Sequence, residues 1–370
     1  MYKGKRVIDV HGHLSTPPHF RAFAYNLIAL RPAQHMSLDI PDEAMRPALA
    51  RHLKMMDELS IDVQLLSPRP VGMMHWERPH LVHNWTRVTN DTIAQVCRLH
   101  PDRFVGIAQL PQNTSEGCQH CVGELEHAVR ELGFVGAILN PDPGGDRMAP
   151  GIDREFWFPL YEKAEELDAT LIVHPSITRD HRVERLESPY QYNNLTEETL
   201  ATLLLEQSDV FERFPRLRIV VCHCGGAPRR LLTKGMPLNA LLQERGQDNT
   251  VGDTGAQPGG QVGMDVEYAA RALRDTSNNL FFDTCSYDPY FLAAAIYQRG
   301  VSQMVFGTEA PGAGSHLQNP VTGRPADDVL AMIDSFDWLT DGEKIRLVHD
   351  NPLRVFPLLA AKLSLVEGAA

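Results

Sequence analysis

The amino-acid sequence predicts an α/β fold of the (β/α)8 TIM-barrel class. Eight short apolar, β-rich runs are spread over the 370 residues, and most are followed by a longer segment of helical periodicity. That alternation is the pattern of βα units building a parallel sheet, and eight such units close a barrel. A doubly wound open sheet would require a glycine-rich phosphate turn after the first run, and none is there. Gly144-Gly145 and Gly225-Gly226 follow later runs without the dinucleotide spacing.

In chain order the runs are Arg6 to Val10, Val63 to Ser67, Phe104 to Ala108, Phe134 to Leu139, Thr170 to Val173, Arg218 to Cys222, Leu280 to Asp283 and Gln303 to Phe306. Between them, Pro41 to Leu59 places Met45, Leu49, Leu53, Met56 and Leu59 on one stripe, the three-to-four spacing of a helix with one buried face. Similar stripes run through Thr86 to Leu99, Gly123 to Leu132, Phe158 to Leu167 and Leu200 to Phe211. Two connections are long: Leu14 to Asp39, rich in Pro, His and aromatics, and Gly246 to Gly263, rich in Gly, Gln and Asp. Both are candidate lids or subunit-contact loops of a homo-oligomer. No repeat or compositional break divides the chain, so a single domain over residues 1–370 is expected.

The composition, 43% hydrophobic and 22% charged, is that of a packed globular protein. A net charge of -12 disfavours nucleic acid and anionic membrane as partners, so an anionic ligand must be met by local Arg or His. No apolar stretch approaches the length of a membrane span, and the amino terminus lacks a signal-peptide core, so a soluble, cytoplasmic protein is expected. Six cysteines, clustered as Cys118/Cys121 and Cys222/Cys224 with Cys97 and Cys285 apart, are too few for a secreted disulfide framework and read as reduced thiols.

In a barrel the chemistry stands at the carboxyl ends of the strands. The first run leads into His11-Gly12-His13, and alternate residues of a strand share a side, so both imidazoles converge on the barrel mouth. Such a pair suits a divalent transition metal. The fifth run ends at His174, the sixth at His223 and the eighth at Glu309. Core filling does not explain three His-bearing strand ends and an acid in one ring. If His223 faces this pocket, strand alternation turns Cys222 and Cys224 away from it.

The His-x-His end of strand one, the single His after strands five and six and the acid after strand eight resemble the amidohydrolase superfamily. The nearest branch holds aminocarboxymuconate-semialdehyde decarboxylase and related nonoxidative decarboxylases and hydratases. A further resemblance runs through Leu66-Ser67-Pro68-Arg69, Gln109-Leu110-Pro111-Gln112, Leu139-Asn140-Pro141-Asp142-Pro143-Gly144-Gly145, Phe282-Asp283-Thr284-Cys285, Phe306-Gly307-Thr308-Glu309 and Asn351-Pro352-Leu353-Arg354. These segments look like the 4-oxalomesaconate hydratases, in which Glu replaces the decarboxylases' Asp at strand eight. The resemblance implies one Zn2+, with Mn2+ or Fe2+ as alternatives, on His11, His13 and His174, Glu309 either completing the set or acting as base. It implies hydration of an unsaturated oxo-polycarboxylate, with a nonoxidative decarboxylase as the alternative. Ala310 to Gly314 and Ala227-Pro228-Arg229-Arg230 depart from the hydratase pattern at the pocket rim, which bears on substrate identity.

His223 and Glu309 are then the acid-base pair, in either order. Arg69, directly after strand two, is the first candidate for a substrate carboxylate, because its fork pairs bidentately. Arg229 is a second candidate, and Asn140, Tyr192 and Asn194 are candidates for hydrogen bonds to substrate. His75, His80 and His83 read as loop histidines outside the chemistry.

Overall fold

The computed structural model describes residues 1–227, 279–320 and 322–369; Arg229, Arg230 and the 246–263 connection lie outside them. Each of the eight expected runs overlaps a strand, the first of which continues three residues beyond Val10: β1 Ile8–His13, β2 Val63–Ser67, β3 Phe104–Gly106, β4 Gly136–Leu139, β5 Thr170–Val173, β6 Ile219–Val221, β7 Leu280–Asp283 and β8 Met304–Val305. All pair in parallel, in the orders β1-β2-β3 and β4-β5-β6-β7-β8. A bridge between Ala108 and Ala137 joins the two groups. The remaining seam closes where Val10 N–H donates to Phe306 O at 2.9 Å and Glu309 N–H to His11 O at 2.7 Å. The sheet is therefore a closed barrel, with no free edge for another strand to pair with.

Side-chain parity divides the core. Ile8, Val10, Val63, Leu65, Val105, Ile107, Ile138, Ile172, Val220 and Val305 fill the barrel interior, whereas Val7, Leu66, Phe104, Leu139, Leu171, Val173, Ile219 and Val221 face the helical layer. The interior is sealed at the amino-terminal end by Val355, Phe356, Leu359 and Leu363 from the last two helices, Asn351–Val355 and Pro357–Ala369. What remains open is the carboxyl-terminal mouth.

The expected helices are present with shifted starts. Asp42–Glu58, Gln119–Arg130 and Phe158–Glu166 match closely. Two others begin earlier, at a proline in the first turn, Pro79–Leu99 and Pro189–Glu206; the second also stops short of the expected Phe211, which lies in a separate short helix, Val210–Arg213. Proline is favoured there because its missing N–H has no intrahelical partner to lose. The 14–39 connection carries a helix of its own, Pro18–Leu30, which packs Phe23 and Leu27 with Leu81, Trp85 and Val88. None of the described helices is long and apolar enough to cross a membrane. All six cysteines are free and buried.

One irregularity matters for the site. On β1 the register passes from Asp9 opposite Gln64 to Gly12 opposite Leu66, three residues of advance against two. This bulge changes the parity of the strand. An unbroken pleat from the inward Val10 would turn His11 outward; with the extra residue His11 and His13 both face the mouth.

Candidate active site

Each imidazole of the mouth is held through its Nδ1. His11 Nδ1 donates to Asp283 Oδ2 at 2.7 Å, His174 Nδ1 to Pro175 O at 2.7 Å, and His13 Nδ1 lies 2.9 Å from Ser67 Oγ. Ser67 spends its own hydrogen on Gly12 O, so it accepts from His13. All three Nδ1 atoms therefore carry the proton, and all three Nε2 atoms present lone pairs. Two of these, on His11 and His13, face each other at 3.3 Å, while buried His174 Nε2 has no partner. Facing lone pairs and an orphaned buried acceptor are unfavourable by themselves and become favourable around a cation. The spacing is also apt, since tetrahedral bonds of about 2.0–2.1 Å separate donor atoms by roughly 3.3 Å.

Glu309 supplies the anionic donor. Its Oε1 lies 3.7 Å from His13 Nε2, and its Oε2 lies 3.6 Å from His223 Nε2 and 2.9 Å from the Tyr287 hydroxyl, which donates to it. One carboxylate thus faces the histidine set with one oxygen and His223 with the other. Single donor atoms of His11, His174, His223 and Glu309 fall within 4.8 Å of one another. Glu309 has φ 62°, a left-handed conformation that a residue with a Cβ adopts at a cost. These residues, with His13 Nε2 beside His11 Nε2, are of the kinds that fit a divalent ion.

The electrostatics separate the groups. Burial pushes His13 down to about 4 and His174 well below the usual imidazole value, so both are neutral and ready to ligate. Burial would raise Glu309, but the imidazoles around it, His13, His223 and His11, hold it well below the ordinary carboxylate range. Asp283 is likewise held down against burial by His11. His223 behaves oppositely: burial would lower it, and Glu198, whose Oε1 lies 2.6 Å from His223 Nδ1, raises it well above its ordinary value. Glu198 itself is fully buried and pushed by that burial up to about 7. The pair keeps a proton near neutral pH.

The mouth opens into two adjoining cavities that share Tyr190, Glu309 and Ala313. One, of about 780 Å3, is lined by His13, Arg51, Lys54, Arg69 and Arg324 among others; the second, of about 360 Å3, holds His223, Asn194, Cys285 and Tyr287. Arg69 lies at the rim and donates to the carbonyls of Leu14 and Pro311 at 3.2 and 3.3 Å rather than to a carboxylate. Among the described residues no carboxylate pairs with it directly, and it lines the larger cavity.

Two expected substrate contacts stand elsewhere. Tyr192 is 50% exposed and does not line either cavity, whereas Tyr190 lines both. On the helix Pro189–Glu206, residues 190, 194 and 198 share one face by i, i+4 spacing, and 192 points away. Asn140 is buried with its side chain committed to His75 Nδ1 at 3.1 Å and to Asp142 N–H at 3.1 Å. Asn194 does reach the mouth, with Oδ1 buried and unpartnered.

The path of His223 also differs from strand alternation. Strand β6 stops at Val221, and His223 and Cys224 take φ of 48° and 61°, so a left-handed turn delivers the imidazole. Cys222 then points into the barrel interior beneath the site and belongs to the core there, rather than facing away. Sequence reasoning gave no role to Asp283, Glu198, Tyr190, Cys285 or Tyr287. Asp283 had a signal, as a carboxylate ending β7; the others lie beyond strand ends or on a helix.

With this geometry in view, comparisons with known proteins are informative. A 2-keto-4-carboxy-3-hexenedioate hydratase of Sphingobium sp. is 31% identical over 367 residues, covering 96% of this chain and 98% of that protein. The crystal structure of a 4-oxalomesaconate hydratase from Rhodopseudomonas palustris matches with a TM-score of 0.79 and 28% identity, over 98% of this chain and 99% of that one. A dihydroxybenzoic acid decarboxylase from Polaromonas sp., solved with bound manganese, shares the fold at a TM-score of 0.60 and 19% identity, over 96% and 98% of the chains. The amidohydrolase family model matches residues 8–358, a span that runs from the first strand of the barrel into its closing helix. Both the histidine cluster and the barrel that presents it fall inside that match, and the chain belongs to the amidohydrolase family.

Proposed function

We propose that the chain is a zinc-dependent hydratase that adds water to the conjugated double bond of 4-oxalomesaconate or a close relative. The product is 4-carboxy-4-hydroxy-2-oxoadipate, in the breakdown of protocatechuate or gallate. The observation that carries the reading is the position of Glu309, between the three lone-pair imidazoles and the protonated His223–Glu198 pair. Similarity to two hydratases over nearly the whole chain supports hydration above decarboxylation.

In this reading His11, His13, His174 and Glu309 hold the ion. Bound there, it supplies Lewis acidity toward substrate oxygen and acidifies water. Ionised Glu309 takes the proton from the attacking water as the C–O bond forms. His223 gives its Nε2 proton to the carbon beside the carbonyl. The proton on Glu309 then returns to His223 across the 3.6 Å gap, which resets both groups. One water O–H bond is broken, one C–O and one C–H bond are formed, and nothing is oxidised. Arg69 receives a substrate carboxylate, helped by the cations of the larger cavity, so a protein of net charge -12 binds an anion locally. Arg229 is the second carboxylate partner in this reading. Tyr290 and Tyr297, 80% and 70% exposed on the helix Pro289–Arg299, support a homo-oligomer, which light scattering tests.

The deciding assay incubates the chain with 4-oxalomesaconate and follows conjugated absorbance together with carbon dioxide. Loss of absorbance without gas is expected. Carbon dioxide released in step with that loss would establish the decarboxylase reading instead.

A further inference from the structure

One metal-competent cluster lies away from the barrel mouth. We propose that His83, Glu116 and His120 form a further divalent transition-metal site, of the zinc class, on the flank of the barrel. Single donor atoms of the three lie within 4.8 Å of one another. His83 Nε2 is 2.8 Å from Glu116 Oε2, and His120 Nε2 is 4.0 Å from the same oxygen. The two imidazoles lie with ring centroids 4.4 Å apart at 67°. Donor separations of 2.8 and 4.0 Å bracket the roughly 3.3 Å edge of a tetrahedral zinc shell, so small side-chain rotations close it.

Three local structures converge to build the site. His83 projects from the first turns of the helix Pro79–Leu99 and His120 from the first turn of Gln119–Arg130. Glu116 stands in the turn before the second helix, one helical repeat ahead of His120. The neighbouring Cys118 and Cys121 are buried and do not line the cavity that these residues border. His83 and Glu116 are each about one-third exposed, at 32% and 31%, so an ion reaches them without unfolding. A cavity of about 700 Å3 opens beside them, and its wall carries His35 and His80. With three protein donors the remaining position faces that cavity and is open to water or a further imidazole. The neighbouring Arg87 is paired with Glu124 at 2.9 Å, which limits its repulsion of a cation.

No residue of this cluster belongs to the catalytic set or lines either cavity at the mouth. An ion here ties two helices and a turn together and stabilises the fold without entering the reaction. The test is zinc content per chain by mass spectrometry, for the full-length protein and its H83A/H120A variant, equilibrated side by side at low micromolar free Zn2+. One more zinc per chain in the wild type is expected, with a larger zinc-dependent rise in Tm. H120A alone, at an exposed position, is expected to lose the same zinc without disturbing packing. Equal zinc content in wild type and both variants overturns the proposal. The comparison reads a difference between proteins with identical catalytic residues, so its outcome is independent of the hydratase assignment.

Discussion

Glu198→Gln separates catalysis from stability at one buried position. The Glu198 carboxylate is fully buried, gives one oxygen to His223 at 2.6 Å and leaves Oε2 without a partner. Its rise from the usual 4.5 to about 7 means that ionisation in the fold is disfavoured by roughly 3 kcal/mol. The glutamine keeps the shape and an acceptor for His223 Nδ1–H but removes the charge that raises the imidazole. The fold should therefore be unchanged or slightly more stable near neutral pH, while kcat falls about 10²-fold or more because His223 no longer holds its proton. The pH sign follows from linkage. A carboxyl whose folded pKa is raised binds its proton more tightly in the native state, so its contribution is fully present below about 4.5 and is lost as pH rises through about 7. The variant should lack that decline. Steady-state turnover and thermal unfolding between pH 4 and 8 measure both effects. Turnover within a few-fold of wild type would refute the positioning role; a large loss of Tm at pH 7 would refute the charge argument.

Gly12→Ala should be destabilising by about 1–3 kcal/mol or more. A Cβ there lies 2.1 Å from Gln64 Cδ, and Gln64 cannot yield because His52, Asp9 and the Ala310 carbonyl hold its amide at 2.6, 2.7 and 2.8 Å; an unchanged Tm would contradict this. Arg69→Met should raise KM about 10- to 100-fold with kcat little changed, the worth of a charged hydrogen bond of about 1.5–3 kcal/mol. A loss confined to kcat would place Arg69 in the chemistry instead. Chelation at pH 7 should abolish turnover, and zinc or manganese should restore it. With His13 neutral down to about pH 4, acid should not displace the ion through that ligand until near that pH, as metal content against pH reports.

The barrel was legible because its interior and its helical face are both apolar, which leaves eight distinct runs in the sequence. The cluster was legible because strand ends carry it: His11, His13, His174, His223 and Glu309 all lie at or just after β1, β5, β6 and β8. What escaped lies where a buried face is polar. The helix Pro189–Glu206 buries Asn193, Asn194, Glu197 and Glu198, residues that periodicity assigns to solvent. Periodicity alone therefore starts this helix at Leu200, eleven residues after Pro189, and assigns Glu198 no role. Without that helix face the sequence also offers no ground for preferring Tyr190, which lines both cavities, to Tyr192, which lines neither.

Regular strand alternation alone does not bring the histidines together. From the inward Val10, an unbroken pleat turns His11 out to the helical layer; the extra residue between Asp9 and Gly12 turns it back. His223 arrives through a left-handed turn after β6, and Glu309 holds φ 62° after β8. Three of the principal groups thus depend on departures from regular strand geometry. Such departures persist only where neighbours over-determine them, and here the neighbours are visible. Asp9 accepts from Gln64, from Thr308 and from the His11 N–H, and Glu309 N–H donates to His11 O, so one buried network fixes the bulge and the β8 end together. Buried residues that line neither cavity, Asp9 and Gln64 above all, consequently set the separation between the imidazole pair and Glu309.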